Sequence, residues 1–432
     1  MSLSILALTA ADALARGYAS PLTGALLGIS GLMLLGLLLW RNLPAGTVSI
    51  WTVALMALLL AGFVHEWATW APAIAVAILA IAAAVVPKRM RPLALAAMAV
   101  AWAFGVTADW SYGHAYIDVV RVLNRGSVRL LHGVNPYTAL YSSTTYRELH
   151  VPFVYGPVAV LLAAPASWFG DSRLVSLVCA VIVLVGLYRL RLRTDPTSVL
   201  FGGNPFNAAA MLLALPILAM LIWNGWTELF GFAPLVLWLL LRERHPVWGI
   251  LCIAIAVGVK FTFLPLLFPL WLWSPSMRRD ISLGTVVSAV AFYLPFLLWT
   301  GPGRFLHDIV WAPLGFPAQP GVLDLSALLV RVGVPAIPVW AAALVLGGAV
   351  LALIRMRPRD LADLLIASAG FTFLFFLLQG RAEFNYWALV ILVTVTALFS
   401  VGLPVDLALP GQGLAGEPEG IQEAGSILPT PS

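Results

Sequence analysis

The chain has 432 residues, of which 61% are hydrophobic and only 10% are charged, whereas about 25% of the residues of an ordinary soluble domain are charged. This composition excludes a soluble domain and predicts a polytopic membrane protein with an all-α fold, because lipid offers backbone polar groups no partner. The net charge of +5 comes from short basic clusters between apolar runs, which indicates membrane topology and not nucleic-acid binding. Cys179 and Cys252 lie in apolar runs and are expected to be buried thiols.

Apolar segments of membrane-helix type recur along the chain. They lie at about 20–40, 47–64, 71–86, 93–107, 173–190, 206–223, 228–241, 282–299, 336–354, 361–378 and 384–401. Basic clusters between these segments mark the cytoplasmic turns: Arg41, Lys88/Arg89/Arg91, Arg189/Arg191/Arg193, Arg242/Arg244, Arg278/Arg279 and Arg355/Arg357/Arg359.

Neighbouring cytoplasmic clusters must be separated by an even number of membrane crossings. This parity predicts whether two further apolar segments cross the membrane. A third crossing at 151–169 would move the arginines at 189–193 outside, so this segment is expected to lie in or dip into the outer interface. One long helix over 247–273 would break parity again. Two short helices meeting near Gly258, Lys260 and Pro265 are expected instead, with the lysine at an interrupted apex inside the membrane.

The predicted architecture has about thirteen membrane helices, a first external loop at 108–172 that contains interfacial helices, and a second external loop at 300–335. The C-terminus is expected inside. Its tail, 402–432, is rich in glycine, proline and acidic residues and is expected to be disordered.

The longest polar interval before that tail runs from residue 109 to residue 157. Within it, Asp118, Arg121, Arg125, Arg129 and His132 recur at spacings of three or four, which places them along one side of a helix. A carboxylate beside several arginines suits a site that holds a phosphate while a base activates a hydroxyl. The same pattern also fits an amphipathic interfacial helix whose charges face water and lipid headgroups.

Four short motifs follow one another from this helix onward. They are Asp-Val-x-Arg-x-Leu-x-x-Gly from Asp118, Gly-x-Asn-Pro-Tyr at 133–137 with Tyr-Gly-Pro at 155–157, NGWTELFGFAPL at 224–235 and GVKFTFLPLL at 258–267. In this order they resemble the polyprenol-phosphate-mannose-dependent mannosyltransferases of actinobacterial type, which are integral-membrane glycosyltransferases of the GT-C fold. The resemblance covers roughly residues 93–273.

The resemblance implies a division of the chain and an activity. Membrane helices at 1–92 precede a GT-C-like catalytic core at 93–273, which is followed by C-terminal membrane helices at 274–401. The implied activity is an inverting transfer of a sugar, most simply mannose, from a polyprenyl-phosphate donor to a glycan or lipid-linked acceptor. The multi-pass protein would lie in the cell membrane with its active site on the extracytoplasmic face.

The resemblance also implies roles for individual residues. The family's catalytic aspartate maps onto Asp118, the expected general base, and Asp109 is its nearby rival. Arg121, Arg125 and Lys260 are candidates for binding the donor phosphate, although Lys260 could instead snorkel to the interface. Because cationic side chains can stabilise a leaving phosphate, no metal and no cofactor is expected.

Further polar residues are candidates for substrate binding. Relatives tend to carry a His-Asn-Asp-like cluster where this chain has Glu228, whose longer side chain leaves its role open. Arg381 and Glu383 stand at an external helix entrance, where they could equally form an interfacial ion pair. The predicted substrate-binding set is Asp109, His132, Asn135, Tyr137, Tyr155, Glu228, Arg381 and Glu383.

Two other functions remain open at the level of sequence. A transporter or flippase for a lipid or an amphipathic solute could use the same basic cavity to bind a phosphate without making a bond. A structural assembly subunit with a degenerate site is the third possibility, which the altered 224–228 cluster keeps open.

Overall fold

The computed structural model describes residues 118–142, 150–193, 218, 221–222, 224–312, 325–331, 333, 335–378 and 384–406. The helices predicted at 20–40, 47–64, 71–86 and 93–107, most of the one at 206–223, and the tail beyond residue 406 lie outside the described residues.

The polar stretch after residue 117 folds into a helix and a small hairpin. Helix α1, Asp118–Leu131, buries Val120, Leu123 and Ser127 and leaves Arg125 exposed, as its amphipathic spacing predicts. A 3-10 helix, Pro136–Thr138, leads into strand β1, Leu140–Ser142. Strand β2, His150–Pro152, pairs antiparallel with β1, and Tyr141 lies opposite Val151. Helix α2, Pro157–Ser167, follows.

The rest of the described chain is helical. The helices are α3, Arg173–Arg191; α4, Glu228–Leu241; α5, Pro246–Val259; α6, Leu264–Trp273; α7, Pro275–Thr300, which includes a π-helical turn at Ser288–Tyr293; α8, Pro302–Leu306, continued by a π-helical turn at His307–Trp311; α9, Leu325–Arg331; α10, Val339–Arg355; α11, Leu361–Leu378; and α12, Phe384–Phe399. The all-α class is confirmed for these residues, apart from the small hairpin.

Two predicted helix boundaries differ from the observed ones. The helix predicted over 151–169 begins only at Pro157, because β2 occupies its first residues and a proline at the first helical position starts a helix readily. The helix predicted over 282–299 begins at Pro275, where the Ser274 hydroxyl accepts the N–H of Met277 and caps the new N-terminus.

Several helices match the dimensions of a lipid bilayer. In the described part of the chain, α3, α7 and α11 are long and apolar enough to cross a membrane, and α5 with α6 passes the same test as a pair bent by 119°. Helix α2, with 11 residues, is about 16 Å long and too short to cross. The count of about thirteen membrane helices stays a prediction.

The bent pair confirms the break predicted at Lys260, which separates α5 from a 3-10 turn, Phe261–Phe263, and α6. Helix α5 starts beside Arg242, since a Cβ added at Gly249 would lie 3.2 Å from the Cα of Arg242. Helix α6 ends at Trp273, and the hydroxyl of the next residue, Ser274, donates to Asp406 Oδ1 at 2.7 Å. The charge of Arg242 also acts on Asp406, so both helices reach the same end of the bundle and the pair is re-entrant.

The described bundle therefore has two distinct ends. At the one called here the basic end, Arg193 donates to the carbonyl of Leu240, and the backbone N–H of Leu361 donates to the carbonyl of Leu403. The opposite end, called the polar end, contains the helix break at Lys260. Helices α3 and α4 run parallel between the ends, since Arg173 lies near Gly225 at one end and Arg193 near Leu240 at the other.

Candidate functional site

The centre of the polar end is an ion pair between two predicted site residues. Glu228 opens α4, and Lys260 stands in extended conformation between α5 and the 3-10 turn. The Nζ of Lys260 lies 2.8 Å from Oε1 of Glu228, which is only 1% exposed. The same ammonium group lies 4.3 Å from the ring centroid of Tyr386 on α12. Three separate elements thus converge on one lysine.

The arrangement suits the binding of an anion. Glu228 lies in the first turn of α4, where the helix dipole favours a carboxylate, and its Oε1 accepts a hydrogen bond from the Lys260 ammonium. The lysine carries three N–H donors in a setting shielded from bulk water, where a cation acts strongly on a nearby anion. Its side chain keeps 13% of its surface accessible.

The Tyr-Gly-Pro motif packs directly against this break. The N–H of Gly156 donates to the carbonyl of Val259 at 3.0 Å. A Cβ at Gly156 would overlap the carbonyl oxygen of Gly258, and a Cβ at Gly258 would overlap the side chain of Val158. Both glycines are needed for this close approach of two backbones, which fixes the position of Lys260.

The start of α1 meets the turn that leads into Glu228. Gly225 in this turn has φ of +58°, and a Cβ there would lie 2.6 Å from Cγ2 of Val120. Val120 is two residues from Asp118, and Gly225 is three residues from Glu228. Asp118 is the first residue of α1, so its backbone lies at the polar end near the Glu228 turn.

The Asn-Pro-Tyr motif connects the segment after α1 to α7 and to the residues before α2. Asn135 accepts the N–H of Tyr137 at 2.9 Å and donates to the Thr300 hydroxyl at 2.9 Å. The Tyr137 hydroxyl donates to the carbonyl of Tyr155 at 2.7 Å. Burial raises the pKa of Tyr137 well above its ordinary value, so the phenol remains a neutral donor. These contacts hold the residue that precedes Gly156 in place.

A comparison with known families decides what kind of protein carries this site. The model of glycosyltransferase family 87 matches residues 153–380, just over half of the 432-residue chain. The chain belongs to glycosyltransferase family 87. Searches of the curated proteins and of the solved structures gave no match. The family match includes the Tyr-Gly-Pro motif, Glu228 and Lys260, while α1 precedes it.

Of the predicted site residues of this glycosyltransferase, Lys260 and Glu228 are in direct contact, and Tyr155 precedes the glycine that packs beside them. Arg121 and Arg125 lie on the outward side of α1, where Arg125 donates to the Ser142 hydroxyl at 3.0 Å. His132 is exposed at the end of α1, with Nδ1 2.8 Å from the carbonyl oxygen of Val128. Asp109, Arg381 and Glu383 lie outside the described residues.

Three residues of the polar end were not predicted from sequence. Tyr386 covers Lys260 from a helix more than a hundred residues away in the chain, which no local pattern reveals. Asp171 and Arg173 form a buried ion pair at the start of α3. The sequence does hold a signal for this pair, because two opposite charges stand together between apolar segments at 151–169 and 173–190.

Proposed function

We propose that this membrane glycosyltransferase transfers a sugar, most simply mannose, from a polyprenyl-phosphate donor to a hydroxyl of a glycan or lipid-linked acceptor, with inversion. The observation that carries the proposal is the Lys260–Glu228 pair in a re-entrant break at the polar end. A lipid-linked donor remains in the bilayer while its phosphate needs a cation at membrane level, and an intramembrane lysine facing a partner is suited to that task.

The proposed mechanism uses a carboxylate as general base and cationic side chains to stabilise the leaving phosphate. Asp118 takes the proton of the acceptor hydroxyl as its oxygen attacks the anomeric carbon. The bond between that carbon and the phosphate oxygen breaks on the opposite side, and its electron pair leaves with the lipid phosphate. Lys260, with Arg121 and Arg125 of α1, stabilises the negative charge on the departing phosphate. Glu228 holds the lysine side chain in place.

The two ends of the bundle support an extracytoplasmic position for the site. The arginine clusters at 189–193, 242–244 and 355–359 all lie at or beside the basic end. Basic clusters of this kind face the cytoplasm. The polar end then faces the extracytoplasmic side, which supports an acceptor on that side. Arg381 and Glu383 remain candidate acceptor contacts, as does Asp109 as a rival base.

The remaining candidate substrate-binding residues fall into two groups according to their contacts within the protein. Asn135 and Tyr137 already use their polar side-chain atoms within the protein, so they act on the site by supporting the loop. His132 and Tyr155 remain candidates for direct contact with substrate. His132 is exposed, and the Tyr-Gly-Pro motif that contains Tyr155 adjoins Lys260.

Asp118→Asn in the purified protein tests the proposal, with radiolabelled polyprenyl-phosphate mannose and a panel of glycan acceptors. Removal of the base is expected to lower turnover by about 100-fold or more while donor binding stays unchanged. Asp363→Asn, which alters a half-exposed ion pair at the basic end, is the matched control and keeps full turnover.

Two results would contradict the proposal. Equal turnover in Asp118→Asn and wild type would exclude Asp118 as the base. Binding of the donor by the wild-type protein without any sugar-transfer product, together with movement of the donor across vesicles, would favour a transporter.

A further inference from the structure

Arg173 is a fully buried arginine that the chemistry above does not use. It stands at the first position of α3 with 0% exposure. Its Nε donates to Oδ1 and Oδ2 of Asp171 at 3.0 and 2.9 Å, and Nη2 lies 2.5 Å from Oδ2. This fork-shaped pairing fixes the guanidinium plane in a way that a lysine cannot reproduce.

The buried Asp171–Arg173 ion pair is an energetically unfavourable means of stabilising the N-terminus of α3. Asp171 is well placed, because it accepts the N–H of Arg173 at 2.9 Å and brings negative charge to the helix N-terminus. Arg173 brings positive charge to the same terminus, which the helix dipole disfavours. Taking both charges out of water also costs free energy that apolar residues of similar volume avoid. Stabilisation of the helix N-terminus alone does not account for an arginine at this position.

The position of Arg173 offers a better explanation. Its aliphatic stem packs on the turn before Glu228, since a Cβ at Gly225 would lie 3.3 Å from Cγ of Arg173 and 2.6 Å from Cγ2 of Val120. Beside it, the N–H of Ser172 donates to Oδ1 of Asn124 on α1 at 2.7 Å. Helix α1, helix α3 and the 224–228 turn therefore meet at this one corner.

We propose that Arg173, held by Asp171, is a positioning residue of the sugar-transfer site: it fixes the distance between α1, which begins at Asp118, and the turn that delivers Glu228 to Lys260. The inference rests on the proposed function. Arg173 does not contact substrate, because it is fully buried. It acts by keeping the base-bearing helix and the ion pair in register, and misplacement of catalytic groups by about 1 Å is enough to cost about 100-fold in rate.

The test uses the full chain with the apolar double variant Asp171→Leu/Arg173→Met and the conservative variant Arg173→Lys. The double variant removes both members of the ion pair, and in the folded protein its donor KM is expected to be unchanged while kcat falls by about 10- to 100-fold. Arg173→Lys retains the positive charge but loses the two-pronged guanidinium contact with Asp171. Its kcat is expected to lie between that of the wild type and that of the double variant. Asp280→Asn, which alters a buried carboxylate at Trp238 near the basic end, is the control with unchanged kcat.

A second readout does not depend on catalysis. Val120→Cys places a thiol at a position with 0% exposure, and the native thiols of Cys179 and Cys252 are buried. Labelling of this thiol is expected to be slow with the native pair and several-fold faster in the double variant. Unchanged labelling would overturn the positioning role even if the wild type shows no transfer. Unchanged kcat in a folded double variant, or a raised donor KM with unchanged kcat, would overturn it in a protein that does transfer sugar.

Discussion

Lys260 shows how a single charged side chain is accommodated among apolar helices. Its partner Glu228 is 32 residues away in the chain, and the Tyr386 ring faces its ammonium from a third element. Lys260 itself has an extended backbone in the break between α5 and the 3-10 turn. Because a lysine paired with a carboxylate carries no net charge, the pair can lie among apolar helices.

Glu228→Gln is predicted to destabilise the protein because it leaves the Lys260 charge without its carboxylate. Breaking a buried pair costs about 3–5 kcal/mol, with the lower part of that range expected where one partner is partly exposed. Thermal unfolding in detergent measures the effect. Glu228→Leu/Lys260→Met is expected to recover most of the stability without any activity.

The control for this prediction is Glu243→Gln. Glu243 is 66% exposed in its contact with Arg242, and such surface pairs contribute about 0–1 kcal/mol. A Glu228→Gln protein as stable as the Glu243→Gln protein would contradict the account of the buried pair.

At the scale of elements, the contact between the Gly156 turn and the re-entrant tip sets the position of Lys260. Two backbones touch here, and neither glycine leaves room for a Cβ. The tip is also held from the other side, where the Tyr293 hydroxyl donates to the carbonyl of Val257 at 3.0 Å. The helix break is therefore held by packing on two sides.

Gly156→Ala is predicted to destabilise the protein by about 1–3 kcal/mol, because overpacking forces backbone to move, and to reduce sugar transfer as Lys260 shifts. Gly348→Ala is the matched control. Gly348 lies in helix α10 with open space around the site of an added Cβ, so alanine there is expected to stabilise by about 0.5–1 kcal/mol. Similar melting temperatures for the two variants would refute the tight packing.

The C-terminal residues of the described chain form a clasp at the basic end. The carboxylate of Asp406 accepts hydrogen bonds from both the hydroxyl and the N–H of Ser276 and from the Ser274 hydroxyl. Burial opposes ionisation, but these hydrogen bonds and the charge of Arg242 outweigh it and lower the pKa of Asp406 below its ordinary value. The clasp thus depends on the ionised carboxylate.

Stability is predicted to depend on pH through this carboxylate. A carboxyl group with a lowered folded-state pKa stabilises the fold above its unfolded pKa, and this contribution is lost as pH falls through the folded pKa. The melting temperature of wild type should exceed that of Asp406→Asn most at neutral pH, and the difference should shrink below about pH 4. A difference that stays constant down to pH 3 would contradict this role.

Much of the element order could be predicted because long apolar runs between charged residues leave few alternatives. Parity of the basic clusters even located the break at Lys260. The strands β1 and β2 were not predicted, since three residues each carry too weak a pattern. The contacts of Asn135 with Thr300, 165 residues apart, and of Lys260 with Tyr386 depend on tertiary packing that spacing within the chain does not encode.

At the scale of the whole molecule, the described bundle separates two tasks. The basic end gathers arginines and the Asp406 clasp, and the polar end gathers the ion pair, the start of α1 and helix α8, whose Phe305 ring packs 4.8 Å from that of Tyr137. The glycosyltransferase account requires that these ends lie on opposite sides of the membrane. The proposed lipid-linked donor and external acceptor could meet at this site only if the polar end faces outward.

Thiol labelling in intact cells tests this placement most directly. Cys179 and Cys252 are the chain's two cysteines and both are buried, so single cysteines can be introduced at His307, which is 64% exposed near the polar end, and at Arg244, exposed near the basic end. A membrane-impermeant maleimide should label His307→Cys from outside and Arg244→Cys only after the membrane is opened. Labelling of both from the same side, or the reverse pattern, would contradict the outward-facing site.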